Sequence, residues 1–119
     1  SGVIIVAESR FNVSNTSMTL ISDTFTASST PSTARIVVFA ELPDGLSDFT
    51  VSATRDNTTF NTITLTDEGY QAGSSGIKIY SGSTPLTGTA SPQVQLRWKI
   101  SGTGLSHVNI IHGVALQWG

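Results

Sequence analysis

Apolar residues in this chain recur at every second position in short segments, and no segment of useful length has a helical period. The clearest case is the segment 94–100, VQLRWKI, in which Val94, Leu96 and Trp98 alternate with polar and charged residues. A two-residue period places alternate side chains on opposite faces of an extended strand, with one face buried. This pattern excludes a helical bundle and predicts a protein built from strands.

The polar residues of the chain are mainly hydroxylic rather than charged. Ser and Thr contribute 17 residues each, whereas charged residues make up 12%, about half the usual share. Thr favours strands because its branched Cβ suits a pleated surface. The length of 119 residues suits one domain. We therefore predict that residues 1–119 form a single all-β domain, a two-sheet antiparallel β-sandwich that is jelly-roll-like and has about eight strands.

The expected strands differ in length and burial. The segment 34–42, ARIVVFAEL, is the longest apolar run and is expected to be buried on both faces. The segments 67–76 and 81–92 are rich in turn residues and are expected to be loops. The remaining strands are expected at 3–7, at 18–28 as one strand or two, and at 49–55, 59–66, 77–80, 94–100 and 107–118.

The last predicted strand, 107–118, carries apolar residues on both faces. Trp118 falls on one face with Val114, whereas Ile111 and Ala115 fall on the other. A strand that is apolar on both faces is expected to be covered on both sides. A closed homotrimer would cover the outer face and protect the sheet edges. We therefore predict that Ile111, Ala115 and Trp118 lie at an oligomer interface.

The segment 52–70, SATRDNTTFNTITLTDEGY, predicts a hairpin around a polar turn. Asp56 is suited to accept N–H groups of the turn through its carboxylate, and Arg55 is expected to pair with Asp56 or with Asp67. We interpret Arg55 and Asp56 as parts of a structural turn that fixes the register of two strands.

Charge and cysteine content exclude several classes of protein. The net charge is −2, and the six Lys and Arg residues are spread along the chain, so the basic cluster that phosphate binding needs is missing. No apolar run approaches the roughly 18 residues needed to span a bilayer. The chain has no cysteine, so it has no disulfide and no thiolate nucleophile. We predict neither nucleic-acid binding nor membrane insertion.

The sequence lacks a recognisable catalytic or metal-binding pattern. No G-x-S-x-G motif is present, and His107 and His112 lie five residues apart on one predicted strand, which points them to opposite faces. His112 has apolar neighbours and is expected in the core or an interface. The acidic residues lack the D-x-D-x-D spacing of a calcium loop. We predict a non-enzyme without cofactor or metal, while a structural calcium ion stays open as an alternative.

Two tyrosines are the candidate ligand-binding residues. Sugars stack on exposed aromatic rings and form hydrogen bonds to nearby polar groups. Tyr70 lies in the predicted loop 67–76, and Tyr80 ends the short strand before the next loop. Trp98 is expected in the core because it alternates with other apolar residues, and Trp118 in the core or an interface. We therefore predict Tyr70 and Tyr80 as the platform for a glycan.

Several short motifs are spread over residues 49–118. They are Arg55-Asp56, Thr58-Thr59, Leu65, Leu96-Arg97-Trp98, Gly113-Val114, Leu116 and Trp118. With these motifs the segment resembles a domain that recurs in tail fibres and other structural proteins of tailed bacteriophages. Asn57 and Phe60 depart from the family pattern, which usually has Gly and Trp there; Asn tolerates a left-handed backbone, and Phe keeps an aromatic ring.

The resemblance implies a virion component of a phage tail, made in the host cytoplasm and assembled as a homotrimer. On this interpretation the chain is the C-terminal module of a longer protein and presents its loops to a bacterial surface glycan or another receptor. Two alternatives remain open at this point. One is a carbohydrate-binding module of a secreted bacterial enzyme, and the other is a capsid decoration or baseplate domain without a ligand.

Overall fold

The computed structural model describes residues 2–6, 9–11, 16–43, 45–73, 76–105 and 109–119. The described residues form eleven strands, and no helix among them is long and apolar enough to cross a membrane. The strands are β1 (Gly2–Val6), β2 (Ser9–Phe11), β3 (Thr16–Ile21), β4 (Phe25–Thr26), β5 (Thr33–Glu41), β6 (Phe49–Thr54), β7 (Asn61–Ile63), β8 (Thr66–Tyr70), β9 (Lys78–Pro85), β10 (Gln95–Leu105) and β11 (Asn109–Trp118).

The strands form two antiparallel sheets. One has the order β1-β11-β5-β9-β8, with β2 also paired to β11, and the other has the order β3-β10-β6-β7, with β4 also paired to β10. The two halves of the chain pair in nested order, β1 with β11, β3 with β10, β5 with β9 and β6 with β7. This nesting is the connectivity of a jelly roll, so the predicted β-sandwich is confirmed. The structure has more strands than the eight predicted for two reasons. The short strands β2 and β4 pair with β11 and β10 beside longer strands, and β8 adds an outer strand next to β9.

The core lies between the sheets and is built from alternate residues of the long strands. Along β5, Ile36 and Val38 are fully buried, and they face Leu96 and Trp98 of β10 within one apolar cluster. The prediction that the segment 34–42 is buried on both faces is wrong. Every second residue of β5 is only partly buried or exposed, because no second layer formed by the described residues covers the outer face.

A bulge in β11 reverses the faces predicted for its first half. The register to β5 shifts between Ile111 and Gly113, so Ile111 is buried before the bulge while Val114 is buried after it. The prediction that Ile111 lies on the outer face is therefore wrong, and only 1% of its surface is exposed for contact with another chain. His112 falls at the shift and does not share the core face, and His107 lies outside the described residues.

Three strands extend into segments that predict loops. β8 begins at Thr66 and runs into the segment 67–76 as far as Tyr70, β9 continues through Ser81–Pro85, and β10 continues through 101–105, SGTGL. These additions contain few large apolar side chains. They are strands because their backbones pair with neighbouring strands, β9 with β5 and β10 with β3.

Candidate ligand-binding site

The β8–β9 hairpin gathers four functional side chains on one face. Asp67 pairs with Tyr80 and Tyr70 pairs with Lys78, with a register shift between the two pairs. The extra residue allows Asp67 and Tyr70, three positions apart, to point the same way. Gly69 has a φ of 96°, which a side-chain-bearing residue rarely adopts. The bulge therefore depends on this glycine.

This face borders a pocket at the end of the sandwich. Tyr80 pairs with Val38, whose side chain is buried in the core, so the four residues lie on the inward face of their sheet. Beyond the last core layer the space opens into a pocket of about 510 Å³. Its wall is formed by the β8–β9 face, the end of β5 and the following turn, namely Glu41, Leu42, Pro43, Gly45, Leu46, Asp67, Tyr70, Gly76, Lys78 and Tyr80.

The two predicted tyrosines line this same pocket but differ in exposure. Tyr70 keeps 59% of its surface exposed, whereas Tyr80 keeps only 4% and belongs to the core. Burial, assisted by the negative charge of Asp67, raises the pKa of Tyr80 above its usual value. The prediction of an exposed ring at Tyr80 is wrong. β9 continues beyond Tyr80 to Pro85, and Tyr80 lies within this strand on the inward face of its sheet.

Asp67 and Lys78 form an ion pair in the pocket wall. Lys78 Nζ lies 2.9 Å from Asp67 Oδ2, and the Gly69 N–H donates to Asp67 Oδ1 at 2.8 Å. The hydrogen bond from Lys78, followed by that from Gly69, lowers the pKa of Asp67, and the same bond to Asp67 raises the pKa of Lys78. Lys78 Nζ also lies 5.1 Å from the centre of the Tyr70 ring. The carboxylate, the ammonium group and the ring therefore act as one unit.

A carboxylate and an imidazole pair at the end of β5. Glu41 Oε2 lies 2.8 Å from His112 Nε2, and both side chains are partly exposed. The bulge in β11 places His112 beside this carboxylate rather than in the core, and its expected place at an interface stays a prediction. Glu41 adds a carboxylate to the pocket wall that Lys78 also lines.

The Arg55–Asp56 turn forms the hydrogen bonds predicted for Asp56. Its Oδ1 accepts the N–H groups of Thr58 and Thr59 at 3.0 and 2.8 Å, and its Oδ2 accepts the N–H of Ala90 at 3.0 Å. Burial opposes ionisation, but these bonds and one from Thr54 outweigh it and lower the pKa of Asp56 to about 2.

The expectation that Arg55 pairs with a carboxylate is wrong. Its Nε donates to the carbonyl oxygen of Gly88 and its Nη1 to that of Pro31, each at 2.8 Å. Asp67, the other expected partner, is bound to Lys78. Asn57 has a φ of 61°, a left-handed conformation that Asn tolerates better than most residues. The turn thus ties together three segments of the chain.

The remaining candidate residues differ in how deeply they are buried. Trp98 is 1% exposed, as predicted for a core residue, whereas Trp118 is partly buried and packs against the core. Ala115 is partly buried on the outer face of β11. Among the residues that the structure describes, no group of three or more His, Cys, Asp or Glu side chains is placed to hold a metal ion.

Sequence reasoning missed Asp67, Lys78 and Glu41 as pocket residues. The period-two rule places Asp67 and Tyr70 on opposite faces, and the bulge overrules it. Gly69 was only a weak signal: an isolated glycine in a strand often marks a bulge, but the segment around Gly69 is rich in turn residues and predicts a loop. Glu41 carries no comparable local signal, because the pocket forms only when β5 and β9 pair.

No protein-family model, curated protein or solved structure matches this chain.

Proposed function

We propose that the chain is a non-enzymatic receptor-binding domain of a virion appendage, of the tail-fibre kind, and that the pocket binds part of a bacterial surface glycan. The observation that carries this proposal is the exposed ring of Tyr70 beside the Asp67–Lys78 pair at a pocket of about 510 Å³. Aromatic rings offer apolar faces to sugar C–H groups, while charged side chains bind hydroxyl groups. Pockets of this size suit small ligands.

The architecture suits a preformed binding site. Much of the pocket wall stands on the paired strands β5, β8 and β9, so these side chains are held in place by the hydrogen-bonded backbone. The family resemblance of the Arg55–Asp56 turn and of β10 and β11 supports the phage appendage as the setting. A carbohydrate-binding module of a secreted enzyme would use the same pocket but would act as a monomer.

Tyr70→Ala is expected to weaken binding to host cells by about fivefold or more. Loss of one stacked aromatic contact removes about 1–3 kcal/mol of binding free energy. The measurement is the binding isotherm of the fluorescently labelled domain on a panel of bacterial strains, starting from a strain to which the unaltered domain binds. Phe25→Ala is the matched control, because Phe25 is also an exposed aromatic residue, at 38%, but lies outside the pocket lining. Equal weakening by both changes would contradict the proposal.

The domain is also expected to form a trimer. Val37 of β5 pairs with Ala115 of β11, and both are partly buried apolar residues on the outer face. A closed ring of three copies would cover this face. Light scattering after size exclusion should give three times the 12.5 kDa chain mass. Ala115→Arg should release monomers, and Thr62→Arg, on the other sheet, should not. A monomer at every concentration would favour the carbohydrate-binding module.

A further inference from the structure

The Asp67–Lys78 pair retains hydrogen-bonding capacity on both partners. An ionised carboxylate has about four acceptor positions, and an ammonium group has three donors. Within the described part of the chain, Asp67 accepts one bond at each oxygen, from Gly69 and Lys78, and Lys78 directs one N–H to Asp67. Unused acceptors and donors therefore stand about one hydrogen-bond length apart in the pocket wall.

Two adjacent hydroxyl groups match this arrangement. Each hydroxyl both donates and accepts, so one can donate to the Asp67 carboxylate while its neighbour accepts from the Lys78 ammonium group. Both bonds involve a charged partner and are stronger than bonds between neutral groups. A single hydroxyl could donate to Asp67 and accept from Lys78, but two adjacent hydroxyls together fill more of the unused acceptor and donor positions.

The charges around the pocket disfavour an acidic ligand. The positive charge of Lys78 is already balanced by Asp67 at 2.9 Å, and Glu41 adds a further carboxylate to the wall. A sugar carboxylate or sulfate would meet the carboxylates of Asp67 and Glu41, the first already paired with Lys78 and the second with His112, and like charges repel. An uncharged ligand avoids this repulsion.

Tyr70 supplies the apolar surface. Lys78 Nζ lies over the ring at 5.1 Å from its centre, yet 59% of the residue remains exposed. The ring therefore keeps open surface against which the C–H groups of a sugar can pack while its hydroxyls reach the charged pair.

We propose that the pocket selects neutral sugars that carry two adjacent free hydroxyl groups, bound by Asp67 and Lys78 with the sugar packed against Tyr70. This inference rests on the proposed function, because it names the class of glycan that the same pocket takes. It excludes acidic sugars such as uronic and sialic acids as preferred ligands.

The test compares binding of the purified domain to immobilised neutral and acidic polysaccharides by biolayer interferometry. Mannan and dextran are the neutral probes, alginate and polysialic acid are the acidic probes, and permethylated dextran lacks free hydroxyls. We expect binding to at least one neutral probe, at least tenfold tighter than to either acidic probe, and no binding to the permethylated probe.

Four variants connect this preference to the charged pair. Asp67→Asn and Lys78→Met should each weaken neutral binding about tenfold, as expected for the loss of a hydrogen bond to a charged group. Asp23→Asn and Arg35→Met remove equivalent exposed charges elsewhere and should leave binding unchanged. Unfolding curves of all variants check that each is folded. If Asp67→Asn disturbs the bulge, Lys78→Met carries the test, because its methylene groups remain in place.

The outcomes separate the inference from the proposed function. Tighter binding of acidic probes that still depends on Tyr70 would overturn the inference and leave the glycan-binding function standing. Binding of the neutral probes that is unchanged by Asp67→Asn and Lys78→Met would also overturn the inference and leave the glycan-binding function standing. Failure to bind any probe, together with cell binding that does not depend on Tyr70, would overturn both.

Discussion

Asp56→Ala is expected to lower the free energy of unfolding by about 3–4 kcal/mol, a large effect for one residue outside the apolar core. Asp56 is 3% exposed, and its carboxylate binds three backbone N–H groups and the Thr54 hydroxyl. A hydrogen bond to a charged group contributes about 1.5–3 kcal/mol, and a buried donor left without its acceptor adds a desolvation cost. The measurement is chemical unfolding at pH 7, followed by tryptophan fluorescence.

Asp56→Asn and a pH series identify the carboxylate charge as the cause. Asn keeps one acceptor oxygen but turns an NH₂ group toward the Ala90 N–H. Asp56→Asn should therefore lower the free energy of unfolding less than Asp56→Ala does, but more than the exposed control Asp23→Asn does. The folded pKa of about 2 lies below the ordinary value of 3.8. The unfolded chain therefore takes up the proton first, and the stability from this group is present above pH of about 4 and lost as pH falls toward 2. The unaltered domain and Asp56→Ala should therefore become more alike in their free energy of unfolding as the pH falls from 5 to 2. A difference that stays constant over this range would contradict this account.

The Asp56 turn shows how far local sequence rules reach. The carboxylate of Asp56 comes only two and three residues before the N–H groups of Thr58 and Thr59. Such short-range bonds are typical of turns, so they could be predicted from the sequence. The bond to the N–H of Ala90 and the Arg55 bonds to Pro31 and Gly88 join positions 24 to 34 residues apart. Nothing in the local pattern predicts such partners, because they depend on how the two sheets close.

The sandwich itself was predictable because its core strands alternate cleanly. In β10, Leu96, Trp98 and Ile100 are buried as the period-two pattern indicates. Two of the errors occur where one extra residue changes that period. The bulge in β11 moved Ile111 from the predicted outer face into the core, and the bulge in β8 brought Asp67 onto the face of Tyr70. The candidate site was therefore found through its exposed aromatic residue, and its charged pair was not.

Gly88→Ala is expected to destabilise the domain by about 2–4 kcal/mol, although it adds only a methyl group. Gly88 is buried, and a Cβ atom at this position would overlap the carboxylate of Asp56. Neither group has room to withdraw, because Arg55 holds the Gly88 carbonyl oxygen and the turn N–H groups hold the carboxylate. Thr89→Ala, an exposed change in the same loop, should alter stability by less than about 0.5 kcal/mol.

A double-mutant cycle tests whether the methyl group acts through Asp56. Once Asp56→Ala has removed the carboxylate, the space beside residue 88 is open and the added methyl has nothing to displace. In that background, Gly88→Ala should lower the free energy of unfolding by less than about 1 kcal/mol. The summed losses of the two single variants should therefore exceed the loss in the double variant by about 2 kcal/mol. Additive costs would mean that the methyl group strains the loop independently of the carboxylate. A strong coupling would instead establish Asp56 and Gly88 as one contact that joins the hairpin turn to the loop before β10.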